Sequence, residues 1–356
     1  MKGRFTVNPF NELGLTPSEG ADLEALVETI VAASIARYET FVFKEHGRVD
    51  ADHWKVVKSR DSIHVYLERT NGPSRMIPQV SAVAPNLSSL LCFGTATGRM
   101  EDMMFGVINP TLETMRIKAS YVDDISGAAV LSTISEPSLE EPFKSLVVKW
   151  MEIDLPLQSI GLVHNRDYIY VEATNFVHLS NGTQVGYHIM HSVSFPETHD
   201  LPGRVRANMS VCSIFRQVRP NSCEIYVTGL VDPGGDMIRK VMVPSMATAL
   251  LSALKYAHCG QMKKLAWMLE KRYQEAKELG APNRELICVI CASSITSRKL
   301  GDFGKSDDTC KLCFGLLKRS NKDSCRRSST STNPFLGKKR SFTVDYGFHY
   351  VDCQLS

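Results

Sequence analysis

The feature that most constrains this fold is a stretch between residues 163 and 230 in which apolar and polar residues alternate. Segments 166–178 and 184–195 both show this period of two, and Asn181-Gly182 lies between them. Successive side chains of a β-strand point to opposite faces, and Asn-Gly suits the tight turn of a hairpin. Two further segments, 204–217 and 223–230, continue the pattern. The stretch therefore predicts a run of antiparallel strands.

The period changes after the turn residues Asp232-Pro233-Gly234-Gly235, where apolar residues begin to recur at helical spacing. The stripe consists of Met246, Leu250, Leu251, Leu254, Ala257, Met262, Leu265, Leu269 and Tyr273. It predicts one long helix that has Pro244 in its first turn and ends near residue 278. Gly260 is expected to bend this helix.

Two more helical regions are predicted in the first third of the chain. Thr16-Pro17-Ser18-Glu19 has the residue types of a helix start, and an apolar stripe at helical spacing follows as far as Phe41. Residues 86–118 predict one or two helices, with a break at Asn109-Pro110 because the residue before proline disfavours helical geometry.

Short strands are predicted between these two helical regions. Trp54 and Val56 alternate with polar residues, as do residues 63–68, and a hairpin is predicted at 59–62. The order of elements is then helix, strands, helices, antiparallel strands and one long helix. This order indicates an α+β fold.

A curved antiparallel sheet needs a cover over its apolar face, and the long helix that starts near Pro244 can provide it. If helix and sheet do not close completely, an apolar cavity remains between them. The side chains predicted to line it are Tyr187, Ile189, His191, Val193, Arg206, Met246, Leu250 and Leu254. His191 fits either a partner for a ligand head group or a core histidine, and Arg206 fits either the cavity or a solvated strand face. The methionines suit an adaptable wall or ordinary core packing.

The order of elements, with the residues that carry it, resembles the START family of lipid-binding domains over residues 20–277. The best local pieces are Trp150 and segments 166–172, 186–188 and 232–235, and segment 121–150 is similar to START-like domains of proteins that carry a FYVE-like zinc finger. The resemblance implies a helix-grip fold, in which a curved antiparallel sheet is closed by a long C-terminal helix. It further implies a hydrophobic tunnel for a sterol, a phospholipid or another acyl lipid, without a catalytic set.

Cysteine spacing near the end of the chain predicts a metal site. The last cysteines of the ten in the chain are Cys288, Cys291, Cys310, Cys313, Cys325 and Cys353. The first four form two C-x2-C pairs separated by 18 residues. Four thiolates at such a spacing can close a tetrahedral zinc site, and in a reducing compartment clustered pairs indicate metal rather than disulfides. One structural Zn²⁺ is predicted, and the alternative is a module of reduced thiols without metal.

The same tail resembles a degenerate FYVE-related finger, which would need four C-x2-C pairs and two zincs. Cys325 and Cys353 each stand in a C-x2-S sequence, so each of the last two pairs lacks a thiolate. A cross-brace would join Cys288 and Cys291 with Cys325, and Cys310 and Cys313 with Cys353. This arrangement is an alternative to the mononuclear site. His349 is the tail histidine that could replace a missing cysteine ligand in the cross-brace. Asp307 and Asp308 replace the basic run that the resemblance implies, so recognition of phosphatidylinositol 3-phosphate is not expected.

The predicted organisation is an N-terminal segment over residues 1–19, the START-like domain over 20–279 and the FYVE-related module over 284–356. Residues 318–340 carry eight basic residues against one acidic residue, interleaved with serine and threonine. Near an anionic leaflet each such charge contributes about 1 kcal/mol, so the stretch fits membrane targeting, a protein partner or a solvated linker. The net charge of +3 does not favour nucleic-acid binding. No secretory or membrane-spanning pattern is found, which predicts a cytoplasmic protein, and the basic stretch adds peripheral membrane association as an option.

Two functions remain open at this point. One is non-enzymatic binding of a lipid in the cavity with a targeting tail, and the other is an adaptor that uses both modules for protein contacts. No enzyme is predicted, because GxSxG, HExxH and P-loop motifs are missing from the sequence. His188 and His191 point to opposite faces of one strand and so cannot share a metal ion.

Overall fold

The computed structural model of the chain describes residues 6–11, 13–69, 87–121, 125–155, 163–235 and 239–278. The strands are β1 Thr6–Val7, β2 Trp54–Arg60, β3 Ile63–Glu68, β4 Ser88–Thr97, β5 Ile125–Ser135, β6 Ser145–Ile153, β7 Asn165–His178, β8 Gln184–Ser192, β9 Arg204–Arg206, β10 Asn208–Arg219 and β11 Ser222–Asp232. The helices are α1 Pro17–Glu39 with a π-helical turn Thr40–Lys44, α2 Met100–Val107, α3 Leu112–Tyr121, α4 Arg239–Leu251, a 3₁₀ turn Ser252–Lys255 and α5 Tyr256–Glu278.

The strands of these residues form one sheet in the order β1-β5-β6-β7-β8-β10-β11-β4-β3-β2, with β9 paired to β7. The pairs are antiparallel except for two short parallel ones, β1 with β5 and β9 with β7. The β7–β8 hairpin turns at Asn181-Gly182, where Gly182 has a φ of 81° that a side chain would disfavour. The predicted α+β class with an antiparallel sheet is therefore confirmed.

Both faces of the sheet are covered by helices. On one face, Leu23, Val27 and Tyr38 of α1 pack into clusters with Ile189, Val171 and other strand residues. On the opposite face, α2, α4 and α5 pack against side chains such as Val211 and Val227 in a separate cluster. The apolar residues thus pack on both sides of the sheet, and its central strands bury both of their faces.

Helix α1 begins where the sequence predicts. The Thr16 hydroxyl accepts a hydrogen bond from the Glu19 N–H, while the Glu19 carboxylate accepts one from the Thr16 N–H at 2.8 Å. This reciprocal capping box satisfies backbone donors that have no partner inside the helix. Pro17 follows the cap, where its missing N–H costs nothing.

The helical prediction for residues 86–118 is wrong in its first part, because Ser88–Thr97 is strand β4. This strand lies between β3 and β11, and its side chains alternate between the two faces of the sheet. Leu90 and Cys92 enter one cluster, whereas Leu91 and Phe93 enter the other. A strand buried on both faces shows a continuous apolar run rather than alternation. The predicted break at Asn109-Pro110 is confirmed, since it separates α2 from α3.

The single long helix is also wrong in detail. The helical segment starts at Arg239, so Pro244 lies inside α4, and the 3₁₀ turn Ser252–Lys255 separates α4 from α5. The Ser252 hydroxyl donates to the Ala249 carbonyl at 2.6 Å, a side-chain bond that competes with regular helix geometry. Gly260 lies within α5 and serves close packing: a Cβ there would be 1.9 Å from the Asp102 carbonyl oxygen of α2.

The chain divides into two compact units, with the division in α5 between Gln261 and Met262. The first unit holds the sheet and the helices around it, and of the second the structure describes only the end of α5. Within the described residues, no helix combines the length and the apolar character that crossing a membrane requires. The predicted boundaries at 279 and 284 lie outside the described residues and stay predictions.

Candidate functional site

A cavity of about 300 Å³ lies inside the first unit, between the sheet and α4. Strands β4, β6, β7, β8, β10 and β11 form its floor. Its roof consists of α4, Ala253 of the 3₁₀ turn and Tyr256 at the start of α5. The helical segment after β11 thus covers a sheet face without filling the space beneath it.

The floor follows directly from strand register. Met190 of β8 pairs with Val211 of β10, Val211 pairs with Gly229 of β11, and Gly229 pairs with Leu90 of β4. Residues directly opposite each other in a sheet share a face, and all four of these line the cavity. Glu172 of β7 pairs with Met190 and so continues the same row.

Gly229 has no side chain and so leaves space at the centre of this row. It sits between Val211 and Leu90, where a larger residue would project into the cavity. A Cβ at this position would meet its nearest neighbour, a methyl carbon of Val211, at 3.6 Å, which is ordinary van der Waals contact. A small side chain could therefore be accommodated, at the expense of cavity volume.

Methionine dominates the walls of the cavity. The lining includes Met151, Met190, Met209, Met242 and Met246. Methionine is unbranched and has three rotatable bonds, so it fits surfaces of varying shape. The wall can consequently adjust to ligands that differ in detail.

Helix α4 is tied to the edge strand β2 by one polar contact. The Lys58 ammonium donates to the Thr248 hydroxyl at 2.5 Å, and that hydroxyl donates to the Pro244 carbonyl at 2.7 Å. Pro244 has no N–H, so the carbonyl one turn before it loses its intrahelical donor. The roof is thus a weakened helix with an anchoring side chain at its edge.

Arg166 provides a cation at the margin of the cavity. Its guanidinium donates to the backbone carbonyls of Pro233, His164 and Gly234 at 2.8, 2.5 and 3.3 Å. Burial lowers its pKa, with Tyr168 opposing the shift. Within the part of the chain that the structure describes, no carboxylate forms an ion pair with it. Among the described residues, carbonyl dipoles are therefore what its charge meets.

A buried polar cluster adjoins the floor. The Glu172 carboxylate accepts hydrogen bonds from the Lys149 ammonium and from His188 Nε2, the latter at 2.9 Å, and Lys118 of α3 lies 3.9 Å away. Lys149, Glu172 and His188 are at most 3% exposed. Lys118 also lies 5.9 Å from the ring centroid of Tyr256, a roof residue. The cluster is thus next to the cavity without lining it.

The electrostatics of this cluster favour an ionised carboxylate and a neutral imidazole. Burial raises the pKa of Glu172, but Lys149, the His188 hydrogen bond and Lys118 outweigh it and bring that pKa well below its usual value. Burial lowers the pKa of His188, while Glu172 opposes the shift. Burial also lowers the pKa of Lys149, with Glu172 again opposing.

The structure brings two of the residues predicted for the cavity to its wall, namely Met246 and Leu250 of α4. Leu254 packs against the same apolar cluster but does not line the cavity. Of the three helix residues predicted for the cavity, two therefore lie at its wall and one lies beside it.

The strand side of the prediction lies on the opposite face of the sheet. Tyr187, Ile189 and Val193 pack into the cluster that contains α1, and the His191 imidazole bonds the Ser210 hydroxyl at 3.0 Å. Met190, which points to the other side of β8, lines the cavity instead. Alternation identifies the two sets of side chains, but it does not say which set faces which helix when both are covered.

Arg206 is also placed away from the cavity. Its guanidinium donates to the Asp167 carboxylate at 2.8 and 3.1 Å and to the Thr198 and His199 carbonyls. Asp167 accepts in addition from the Trp150 indole at 3.1 Å. Arg206 therefore secures a buried carboxylate in a structural network.

Sequence reasoning missed the buried cluster and Gly229. The signal for the cluster was available: Lys149, Glu172 and His188 stand inside strand segments at positions that alternate with apolar residues of the other face. From sequence alone, charged residues inside a strand are assigned to a solvent-exposed face, unless both faces of the sheet are known to be covered. Gly229, in turn, gives no sign of cavity volume until its neighbours are known.

A second depression of about 280 Å³ lies at the other end of the sheet, lined in part by Trp54, Tyr66 and Phe93. These side chains pack with the cluster on the α1 face. The predicted zinc ligands, Cys288, Cys291, Cys310, Cys313, Cys325 and Cys353, lie outside the described residues. In the described part of the chain, no group of three or more histidine, cysteine or acidic residues could hold a metal ion.

Comparison with solved structures finds chains of similar fold, and three of them are described next. The crystal structure of human STARD10 is 15% identical with a TM-score of 0.44, covering 65% of this chain and 82% of that one. Human StAR-related lipid transfer protein 5 is 18% identical with a TM-score of 0.41, covering 63% and 96%. The STAR-related lipid transfer protein fragment from Xanthomonas axonopodis is 15% identical with a TM-score of 0.38, covering 58% and 99%. No family model and no curated protein matches the chain.

Proposed function

We propose that the first unit binds one lipid-like molecule in the cavity between the sheet and α4, without catalysing a reaction. The observation that carries this proposal is the unfilled, methionine-rich space of about 300 Å³ beneath α4. Small-molecule sites in proteins are usually concave and mostly apolar, with a few polar groups, and this partly open space has that character. A bound apolar ligand would fill this space.

The volume of the cavity limits the size of ligand that can bind in it. Small-molecule pockets span roughly 300–1,000 Å³, and this one lies at the lower limit. A single acyl chain or a compact ring system fits such a space better than a phospholipid with two chains. Adjustment of the methionine walls adds some tolerance.

The proposal predicts a characteristic dependence on chain length. Each CH₂ group removed from water contributes about 0.8 kcal/mol, so each added carbon of a linear alcohol should tighten binding roughly fourfold. The increase should stop when the chain outgrows the cavity. Displacement of a fluorescent apolar dye by alcohols of six to fourteen carbons measures this series. Affinity that does not depend on chain length would contradict the proposal.

Gly229→Val is the matched test of location, because it places two methyl groups in the cavity floor. We expect at least tenfold weaker binding of the longest chains, with the free energy of unfolding unchanged or raised by up to about 1 kcal/mol. Gly14→Val is the control, since a Cβ at Gly14 meets no atom within 4 Å. Equal binding by both variants would place the ligand elsewhere, and a protein that never takes up lipid would favour the adaptor.

For the C-terminal tail we propose one structural Zn²⁺ held by Cys288, Cys291, Cys310 and Cys313. The C-x2-C-x18-C-x2-C spacing supports this set. A second zinc with Cys325 or Cys353 would have an incomplete thiolate set. The basic residues between 318 and 340 would then bring the tail to an anionic membrane or a protein partner. Metal analysis of the purified chain, with Cys310→Ser as the variant, tests the stoichiometry.

A further inference from the structure

The buried cluster beside the cavity contains one polar atom without a protein partner. His188 is 1% exposed, and its Nδ1 forms no hydrogen bond with any described residue. A buried polar atom left unsatisfied costs about 1–3 kcal/mol, so its retention calls for a reason. Its other ring nitrogen is fully engaged with Glu172.

The protonation of the ring follows from its partner. An ionised carboxylate can only accept hydrogen bonds, so His188 Nε2 must donate the proton to Glu172. Because burial lowers the pKa of His188, the ring stays neutral and carries that one proton. Nδ1 is therefore left as an acceptor that needs a donor.

The His188 ring lies on a strand next to residues that line the cavity. The two nitrogens of imidazole point to different sides of the ring, so Nδ1 faces away from Glu172. His188 pairs in the sheet with Ser213, a cavity-lining residue, and Met190 lines the cavity two positions further along the same strand face. Access of a small polar group from the cavity to this ring would require the flexible Met190 side chain to move.

We propose that the ligand carries a hydroxyl group, which reaches past Met190 and donates a hydrogen bond to His188 Nδ1 beside the cavity floor. This inference rests on the proposed function and adds which end group of the ligand the site prefers. A hydroxyl can donate, whereas an ether or a carboxylate can only accept. His188 thus selects alcohols over chains of the same length that end in an acceptor.

The test compares 1-decanol with its isomer methyl nonyl ether, which has the same number of carbon and oxygen atoms, on the full chain. The alcohol should bind roughly 2- to 10-fold more tightly, as one net hydrogen bond of about 0.5–1.5 kcal/mol gives. In His188→Phe the preference should disappear. In His191→Phe it should persist, because that ring lies on the other face of the sheet and bonds Ser210.

A second measurement does not depend on any variant folding. In ¹⁵N-histidine-labelled protein, the Nδ1 resonance of His188 should move upfield with decanol and stay in place with the ether. If both compounds bind equally and the resonance does not move, the hydroxyl assignment is overturned and the cavity function stands. If neither compound binds, the proposed function itself fails.

Discussion

At the scale of single residues, the unusual feature is a charged cluster sealed inside the fold. Lys149 has no exposed surface, and its ammonium forms an ion pair with the Glu172 carboxylate. Removing one partner of a buried ion pair leaves the other charge without compensation in a medium that solvates it poorly. Substituting either member of such a pair is therefore expected to lower the free energy of unfolding strongly.

Glu172→Leu should lower the free energy of unfolding by about 3–5 kcal/mol, because Lys149 then stays buried without its partner. Urea denaturation measures this change. Glu141→Gln is the control, since Glu141 pairs with Lys144 at the surface and the change should cost less than about 1 kcal/mol. The double variant Lys149→Met with Glu172→Leu should recover much of the loss. Independent, additive effects would contradict this description of the cluster.

The histidines predict how stability varies with pH. His188 has a lowered pKa in the folded state, so below pH 6.5 the unfolded chain takes up a proton that the folded chain refuses. Lys118, Lys149 and Glu172 face this ring, and Glu172 stays ionised in the same range. The free energy of unfolding should thus decrease as pH falls from 7.5 to 5.5, at up to about 1.4 kcal/mol per unit for one proton.

Urea denaturation of wild type and His188→Gln across this range isolates the contribution of His188. The variant should show a shallower slope, because glutamine can donate to Glu172 but does not titrate. The slope from His191, whose pKa burial also lowers, should remain in the variant. Identical slopes in both proteins would show that His188 does not titrate as described.

At the scale of elements, the roof of the cavity is its least regular part. Pro244 interrupts the hydrogen bonds of α4, and the 3₁₀ turn follows at Ser252–Lys255. Thr248 joins the weakened helix to β2 through Lys58. A ligand has to pass between roof and floor, so this contact should influence how fast it does.

Thr248→Val keeps the shape of the side chain and removes the bond from Lys58 and the bond to Pro244. Each net hydrogen bond contributes about 1 kcal/mol, so ligand dissociation should accelerate roughly fivefold or more. Stopped-flow release of the bound fluorescent dye measures this rate. Ser252→Ala is the comparison, because it removes a hydroxyl bond that lies entirely within the helical segment. Unchanged release in Thr248→Val would show that α4 does not control access.

Several elements could be predicted from sequence because their physical signals are local. The capping box before α1 and the hairpin at Asn181-Gly182 depend on neighbouring residues only, and both occur as expected. Strand β4 was mistaken for a helix because its two faces enter different cores, which removes the alternation. Non-local packing, which a sequence pattern does not encode, decided this element.

The candidate site likewise has a part that local sequence signals indicate and a part that depends on non-local packing. The stripe at helical spacing contains Met246 and Leu250, and the structure places both at the cavity wall. The strand residues Tyr187 and Ile189 were assigned to the wrong face, since β8 presents a buried surface on each side. Which surface meets α1 and which meets α4 depends on the fold as a whole.

At the scale of the whole molecule, the cavity and the cysteine-rich tail are separate proposals. Removal of zinc with a chelator should release one equivalent of metal per chain and leave the affinity for decanol unchanged, because the cavity lies entirely within the first unit. A metal-sensitive dye and the dye-displacement assay measure the two quantities. Loss of lipid binding on chelation would contradict this independence, and release of two equivalents would favour the cross-brace.

The most direct measurement of the central claim is a crystal structure of the protein soaked with 10-bromodecan-1-ol, with the bromine located by anomalous scattering. The account predicts one bromine peak per chain beneath α4, within the space bounded by Met190, Val211 and Leu250. No peak in that space, or a peak confined to the depression beside Trp54 and Phe93, would contradict it.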